Sequence, residues 1–321
     1  MRSFVNAWAQ DRVNKIAEFN SFNVSGSMQL TRDAPPRIRC RQIGDKDLDG
    51  LIRLLTKAFP KRTRSYWAHA MQQLATRATP ESYPRFGYLL EIDSTLVGVI
   101  LLIFSTQNAY GKTHVKCNVS TWYVDPRHRA YASLLVASSL RHKDVTYINI
   151  SPAVHTWAII EAQGFTCYCS GEIIAIPALS PQVANTRVHT FDPSRDYGPA
   201  LSEEERDILI AHVDYGCLAI IATEQGKANP FAFLPRRSFR GILPTLQLVY
   251  CRNVRDFARL AGPIGRTLIK RGSLFVRLDA EGPFPGLVGK YIRDHGRRYF
   301  RGHERPRIGD LSFSEGVLFG F

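Results

Sequence analysis

From Val124 to Leu134 the chain reads V-D-P-R-H-R-A-Y-A-S-L, and here residue types and spacing could do chemistry. Asp125-Pro126 is a turn pair that ends strand pairing, and Arg127, His128 and Arg129 follow it directly. From Tyr131 onward the apolar residues Leu134, Leu135, Val136, Ala137 and Leu140 fit one broad helical face. A cationic bend therefore opens a helix. The first amides of a helix lack internal partners and carry the positive end of its dipole, so an anion docked there is held by geometry and field together. Pyrophosphate is an obvious ligand for such a bend. Other chemistries have less support. The six cysteines, Cys40, Cys117, Cys167, Cys169, Cys217 and Cys251, show no C-x-x-C zinc spacing, and neither a serine-histidine-aspartate nor a metal-ligand spacing competes. Cys167 and Cys169 would share one strand face, which reads better as two small buried side chains than as a metal or redox pair.

The elements that must position the bend follow from hydrophobic periodicity. An alternating run over residues 116–124 is the strand that enters it, and residues 145–150 form a short β-branched strand after the helix. Upstream, residues 37–43 alternate as a strand. Residues 47–59 repeat Leu48, Leu51, Ile52, Leu54, Leu55 and Ala58 at helical spacing, with Asp45 or Asp47 as the expected cap. A second helix covers 65–76, and between the two helices Lys61, Arg62 and Arg64 make a basic turn. Residues 86–92 and 96–104 form a hairpin, in which Gly98 relieves crowding. Beyond Phe165, residues 166–176 alternate as another strand, and Pro177 closes the unit.

This strand, cationic loop, helix and strand resemble the acyl-CoA-binding core of the GNAT (GCN5-related) N-acyltransferases. Val124-Asp125-Pro126 stands in the place of that family's V-x-P turn, Arg129 opens its R-x-x-G-x-G/A loop, and Glu161-Ala162-Gln163-Gly164-Phe165 is similar to its E-K-L-G-F helix end. The likeness spans roughly residues 38–179. It also has departures: Ala132 and Leu134 replace the loop glycines, Ile160 the helix tyrosine, and Ala153 the pantetheine-contacting asparagine. The resemblance implies acyl-CoA or acetyl-CoA as donor, bound by Tyr123, Val124, Arg129, Ala130, Tyr131, Ala132, Ser133 and Leu134. It also implies direct attack of an amine or hydroxyl on the thioester, whose carbonyl would lie near the backbone around Tyr123 and Val124. His155, Tyr123 and Glu91 are then the candidates for moving protons. No metal is expected.

The remainder repeats the plan. Residues 245–251, 254–270 and 273–278 read as strand, helix and strand, in a gapless register 127 residues beyond the first set that matches Tyr123 to Tyr250, Leu134 to Ala261 and Ile148 to Phe275. The second copy lacks the V-x-P turn, and Asp256 puts a carboxylate where a phosphate needs a cation. It is expected to hold no second cofactor and to complete the acceptor cleft or a dimer surface instead. Near the end, residues 290–307 concentrate Lys290, Arg293, Arg297, Arg298, Arg301, Arg305 and Arg307 among Tyr291, Tyr299 and Phe300. Such a patch could bind nucleic acid, an acidic glycan or a lipid headgroup; the favoured reading is a solvated basic helix and loop, since Asp294 and Glu304 interrupt the run.

At 321 residues, with 45% apolar and 22% charged residues, the composition is that of a soluble globular chain of two ordinary domains. The expectation is an α/β (α+β) protein with an N-terminal arm and linker over 1–36, a GNAT-like acyl-CoA-binding domain over 37–180 and a degenerate GNAT-like domain over 181–321. Each domain would be a mixed, mostly antiparallel twisted sheet flanked by helices. Residues 4–19 permit an amphipathic helix within the arm. The 42 Lys and Arg against 28 Asp and Glu, a net +14, favour anionic partners. A small-molecule or anionic acceptor fits this charge, nucleic acid is a less favoured partner, and a homodimer is compatible with it. The longest apolar run, 96–104, is too short to span a bilayer, and the scattered cysteines fit a reducing cytoplasm. Two functions follow: a CoA-dependent acyltransferase, or a non-catalytic protein binding an acyl-thioester or nucleic acid on the same scaffold.

Overall fold

The computed structural model describes residues 37–109, 112–238 and 243–320. The expected N-terminal helix and linker lie outside the described residues. Strand β1 (Ile38–Gln42) leads through a 3-10 turn into α1 (Leu48–Ala58), whose apolar stripe fully buries Leu51 and Leu55. Asp47 occupies the N-cap position of α1 but makes no side-chain cap hydrogen bond there; its carboxylate accepts the Gly44 amide at 2.8 Å and so closes the preceding turn. Helix α2 (Arg64–Thr76) starts at Thr63, whose hydroxyl accepts the Tyr66 amide at 3.2 Å, and buries Trp67, Ala70, Met71 and Leu74. Strands β2 (Gly87–Ile92), β3 (Thr95–Ala109) and β4 (Lys112–Val124) form an antiparallel meander. After the bend come α3 (Ala132–Ser139), β5 (Val145–Asn149), α4 (Trp157–Ala162) and β6 (Thr166–Ala175).

The second half runs β7 (Thr186–Thr190), α5 (Glu203–Asp214), β8 (Leu218–Glu224), β9 (Lys227–Ser238), β10 (Leu243–Cys251), α6 (Val254–Ile269), β11 (Phe275–Ala280) and β12 (Gly289–Arg301), and the chain ends on α7 (Glu315–Phe319). Helix α5 opens on a capping box, in which the Ser202 hydroxyl accepts the Glu205 amide and the Glu205 carboxylate accepts the Ser202 amide.

Among the described residues twelve strands join one sheet, in the order β1-β2-β3-β4-β5-β12-β6-β11-β10-β9-β8-β7. Read from either edge inward, the order is five strands of one half followed by the sixth strand of the other. Thus β12 sits between β5 and β6, and β6 between β12 and β11. Pairing is antiparallel except for two ladders, β4 with β5 and β10 with β11, which join Val115 to Val145 and Thr245 to Phe275. Each half also carries one bulge at the equivalent place, at Thr121 in β4 and at Val249 in β10. The bulges are 128 residues apart and the ladders 130. The offset is therefore one to three residues longer than 127, while the two connections are equal, 30 residues from Val115 to Val145 and 30 from Thr245 to Phe275.

One face of the sheet packs against α1, α2, α5 and α7, through Leu55, Trp67, Leu209 and Leu318 among others. On the opposite face, α3 and α4 cover the first half through Leu135 and Ile160, and α6 covers the second through Phe257, Leu260 and Ile264. Residues 290–301 of the basic segment belong to the central strand β12 rather than to a solvated helix, and 302–307 form the loop that follows it. Arg298 is buried in the strand and forms two hydrogen bonds of 2.9 Å with buried Asp279. Arg297 pairs with Asp294 and lies 4.1 Å over the Trp157 ring, Arg301 donates to the Gln163 carbonyl, and Arg307 donates to the Cys251 and Arg252 carbonyls. The irregular step between Arg293 and Arg298, with Asp294 and Gly296 at positive φ, hides the strand period from sequence inspection.

Candidate active site

Parallel pairing of β4 with β5 holds from Val115–Val145 to Asn118–Ile148 and then stops. Just beyond, the bulge at Thr121, held at φ 44°, turns β4 away from its neighbour. The gap opens into a cavity of about 400 Å³. It is lined by Ser120, Thr121 and Trp122 of β4, Asn149 at the end of β5 and Ser151 after it, Val136 of α3 with Leu140 just beyond, and Phe59, Arg62, Tyr66 and Trp67. Arg62 lies 4.4 Å over the Tyr66 ring, which fixes a cation at that mouth.

The carboxylate in the cavity comes from the far end of the chain. Glu315, at the start of α7, accepts hydrogen bonds from the hydroxyls of Ser120 and Ser151, and its own amide donates to Asn118 Oδ1 at 2.7 Å. Burial pushes its pKa above the ordinary glutamate value, opposed by the two serine hydroxyls and by the charges of Arg298 and Arg62. A half-buried carboxylate raised in this way, beside a gap between strands, has the character of a general base.

Glu315 arrives on a strap, residues 309–320, that first crosses the second half. There β10 and β11 also part after Gln247–Arg277, while β9 pairs the outer edge of β10 through Cys251. The strap takes the vacated inner edge: the Cys251 amide donates to the Gly309 carbonyl at 2.9 Å, and the Leu311 amide donates to the Val249 carbonyl at 2.8 Å. A side chain at Gly309, which has φ +87°, would sit 2.6 Å from Cys251 Sγ. The equivalent gap of the second half is thus filled by the chain's own backbone.

The residues expected from sequence divide between cavity, bend and neither. His155 lines the cavity rim, exposed, on the Val154–Thr156 turn. Tyr123 and Val124 pair with Val99 and Gly98 beyond the bulge, and the Tyr123 ring packs edge-on against Phe59 at 6.1 Å, so they back the cavity without lining it. Arg129, Ala130 and Tyr131 end the Pro126–Tyr131 turn, and Ala132, Ser133 and Leu134 form the first turn of α3; of these, Arg129, Ala130, Ser133 and Leu134 are exposed. Two amides of the bend are already engaged: that of Arg127 by Asp125 Oδ1 at 3.0 Å, and that of His128 by the Asp125 carbonyl at 2.8 Å. Hydrogen bonds from the Arg127 guanidinium, at 3.1 Å to each carboxylate oxygen, and from the Arg127 amide hold the Asp125 carboxyl down at about 2. Glu91 lies elsewhere. It forms an ion pair with Arg41 at 2.6 Å, and Arg41 also binds Asp47, so an outer-strand salt bridge takes the carboxylate expected at the site.

Ser120, Ser151 and Glu315 were missed by sequence reasoning, yet one signal was present. Lys116, Asn118 and Ser120 put three polar side chains on one face of a strand that must be buried, and such a face needs polar partners from elsewhere.

No protein-family model and no curated protein sequence matches the chain. Solved structures do. A GCN5-related N-acetyltransferase from Anabaena variabilis aligns over 83% of this chain and 72% of its own at a TM-score of 0.52 and 10% identity. One from Kribbella flavida aligns over 83% and 71% at 0.52 and 13%. The GCN5-related glucosamine N-acetyltransferase region of a fungal multi-domain β-N-acetylglucosaminidase aligns over 84% of this chain and 38% of that one at 0.55 and 12%. Together with the parting of β4 from β5 and the bulge beside it, these likenesses show that the chain has the fold of the GCN5-related N-acetyltransferases.

Proposed function

We propose that the protein is a CoA-dependent acyltransferase that moves an acyl group, acetyl in the simplest case, from acyl-CoA to an amine or hydroxyl acceptor. The observation that carries this reading is the difference between the two gaps. In the second half an extended backbone segment hydrogen-bonds the freed edge of β10; in the first half the corresponding edge of β4, around Ser120–Trp122, borders a cavity. An extended ligand bearing amides, as the pantetheine arm of CoA does, fits that edge, with its diphosphate toward Arg129 and the start of α3. The two halves, 37–180 and 181–321, are then copies of one unit of which only the first binds donor.

In the reaction the acceptor nitrogen or oxygen attacks the thioester carbonyl, the new bond to carbon forms, and the carbon–sulfur bond breaks. Glu315 takes the acceptor's proton, and His155 at the rim is placed to return one to the departing thiolate. Phe59, Tyr66 and Trp67 enclose the acceptor, and Arg62 among them favours one that carries an anionic group. Six free cysteines fit a reducing cytoplasm. The nucleic-acid alternative loses support because Arg297, Arg298, Arg301, Arg305 and Arg307 are bonded within the protein. Calorimetric titration with CoA tests the reading. Saturable binding at one CoA per chain, weakened at least about tenfold by Arg129→Ala, is expected. Absence of CoA binding by the folded protein would refute it.

A further inference from the structure

We propose that Lys116 and Asp310 are positioning residues for Glu315, a buried charge pair that sets the register of the strap against β4. The inference rests on Glu315 being the base of the proposed reaction. Lys116, Asn118 and Ser120 point to the same face of β4, and each holds one group of the strap. Lys116 Nζ donates to Ser312 Oγ at 3.3 Å and faces Asp310 Oδ1 at 3.7 Å; Asn118 Oδ1 accepts from the Glu315 amide; the Ser120 hydroxyl donates to the Glu315 carboxylate. Asp310 gathers further donors, with Gln107 Nε2 at 3.1 Å, the Ser312 amide at 3.1 Å and the Ser312 hydroxyl at 2.5 Å.

Packing alone does not require this pair. The Lys116 side chain is 7% exposed and that of Asp310 11%, and burying two charges costs several kcal/mol each, roughly, before their attraction returns it. An apolar pair would hold the strap to the sheet but would let it slide by a residue. A slide of one residue would carry Glu315 along β4 and out of hydrogen-bond reach of Ser120 and Ser151. A charge pair with one geometry forbids the slide, which is the best-attested use of buried polar groups. Only four residues separate Asp310 from Glu315, so the anchor acts directly on the carboxylate. On the other side the strap is fixed to β10, and Gly309 has no room to shift toward Cys251 or Val254.

The test reads the titration of Glu315 by carbon-13 NMR of glutamate carboxyls in the full-length protein, with the resonance assigned by its loss in Glu315→Gln. The charged groups acting on Glu315 are Arg62 from the turn before α2 and Arg298 from β12; those on Asp310 are Lys116 of β4 and Arg307. In Asp310→Asn and in Lys116→Met the Glu315 midpoint should shift downward toward the ordinary carboxylate range as the side chain leaves its buried seat. Lys116→Arg should keep it. CoA affinity, measured separately by calorimetry, should stay within about twofold in all three. An unchanged Glu315 midpoint in whichever of Asp310→Asn and Lys116→Met folds would overturn the inference. Failure of the wild-type protein to bind CoA would instead remove the acyltransferase reading and leave the NMR result to decide the positioning alone.

Discussion

Replacing Glu315 by glutamine keeps the shape of the side chain and removes only its capacity to hold a proton. The serine hydroxyls of residues 120 and 151 can turn to meet an amide, so the strap should stay seated. Loss of a general base costs about 10²–10⁴-fold in rate, which corresponds to about 2.7–5.4 kcal/mol of barrier. The loss should fall on kcat, because Glu315 borders the gap between β4 and β5, whose lining includes no residue of the Pro126–Leu134 segment where the donor's diphosphate would dock. Turnover is followed as CoA released from acetyl-CoA, separated chromatographically, with the fastest amine found in a screen. In the wild type, kcat should climb with pH through a midpoint above the ordinary glutamate value, since the base must be ionised and burial raises its pKa. The variant should lack that limb. Stability gives an independent sign. A carboxyl raised in the folded state keeps a proton that the unfolded chain has already lost, so the fold loses stability as pH rises through that interval, and glutamine escapes the loss. At pH 8 the variant should therefore resist urea at least as well as the wild type. A folded variant with kcat within about threefold of the wild type would refute Glu315 as the base.

Other perturbations test the frame around the site. Arg298→Met leaves Asp279 buried without its partner and should cost about 3–5 kcal/mol in urea unfolding, much of it recovered in the double variant with Asp279→Leu. Gly265→Ala would drive a Cβ to 2.1 Å from the Ala178 amide nitrogen where α6 crosses the Pro177–Leu179 turn, so a loss at or above the upper end of about 1–3 kcal/mol is expected by thermal melting. Burial holds His212 down to about 4, and its Nδ1 lies 2.6 Å from the Ile208 carbonyl. Below pH 6.5 the unfolded chain takes up a proton that the fold refuses, so about 1.4 kcal/mol should be lost per pH unit down to about pH 4. His212→Phe should remove that part of the slope, read as unfolding free energies at pH 7 and pH 5.

Much of the fold was legible because its elements carry strong periods. The strand entering the bend and the helices α1, α2 and α6 follow from local spacing. The bend itself was legible, but its chemistry only in part, since Asp125 engages two of its amides by contacts that no pattern announces. Glu91 misled because a carboxylate on an expected strand says nothing of Arg41 across the sheet. Glu315 was invisible for the opposite reason: it lies almost two hundred residues from Ser120, and only the path of the strap brings the two together. The basic segment failed as a helix because a bulge broke its alternation, and charge near a terminus imitates a solvated surface.

The exchange of β6 and β12 at the centre of the sheet has a consequence for synthesis. Until Arg301 has left the ribosome, β5 has no neighbour on its inner side, and Tyr147, Ile148 and Asn149 wait for Phe300 and its flanking residues. A fragment ending near residue 180 would carry the bend and most of the cavity wall, yet it would expose a raw sheet edge ready to pair with any extended chain. The nascent first half is thus the stretch most exposed to misassembly, and a holding chaperone would matter most for it in the interval before the last strand slots home.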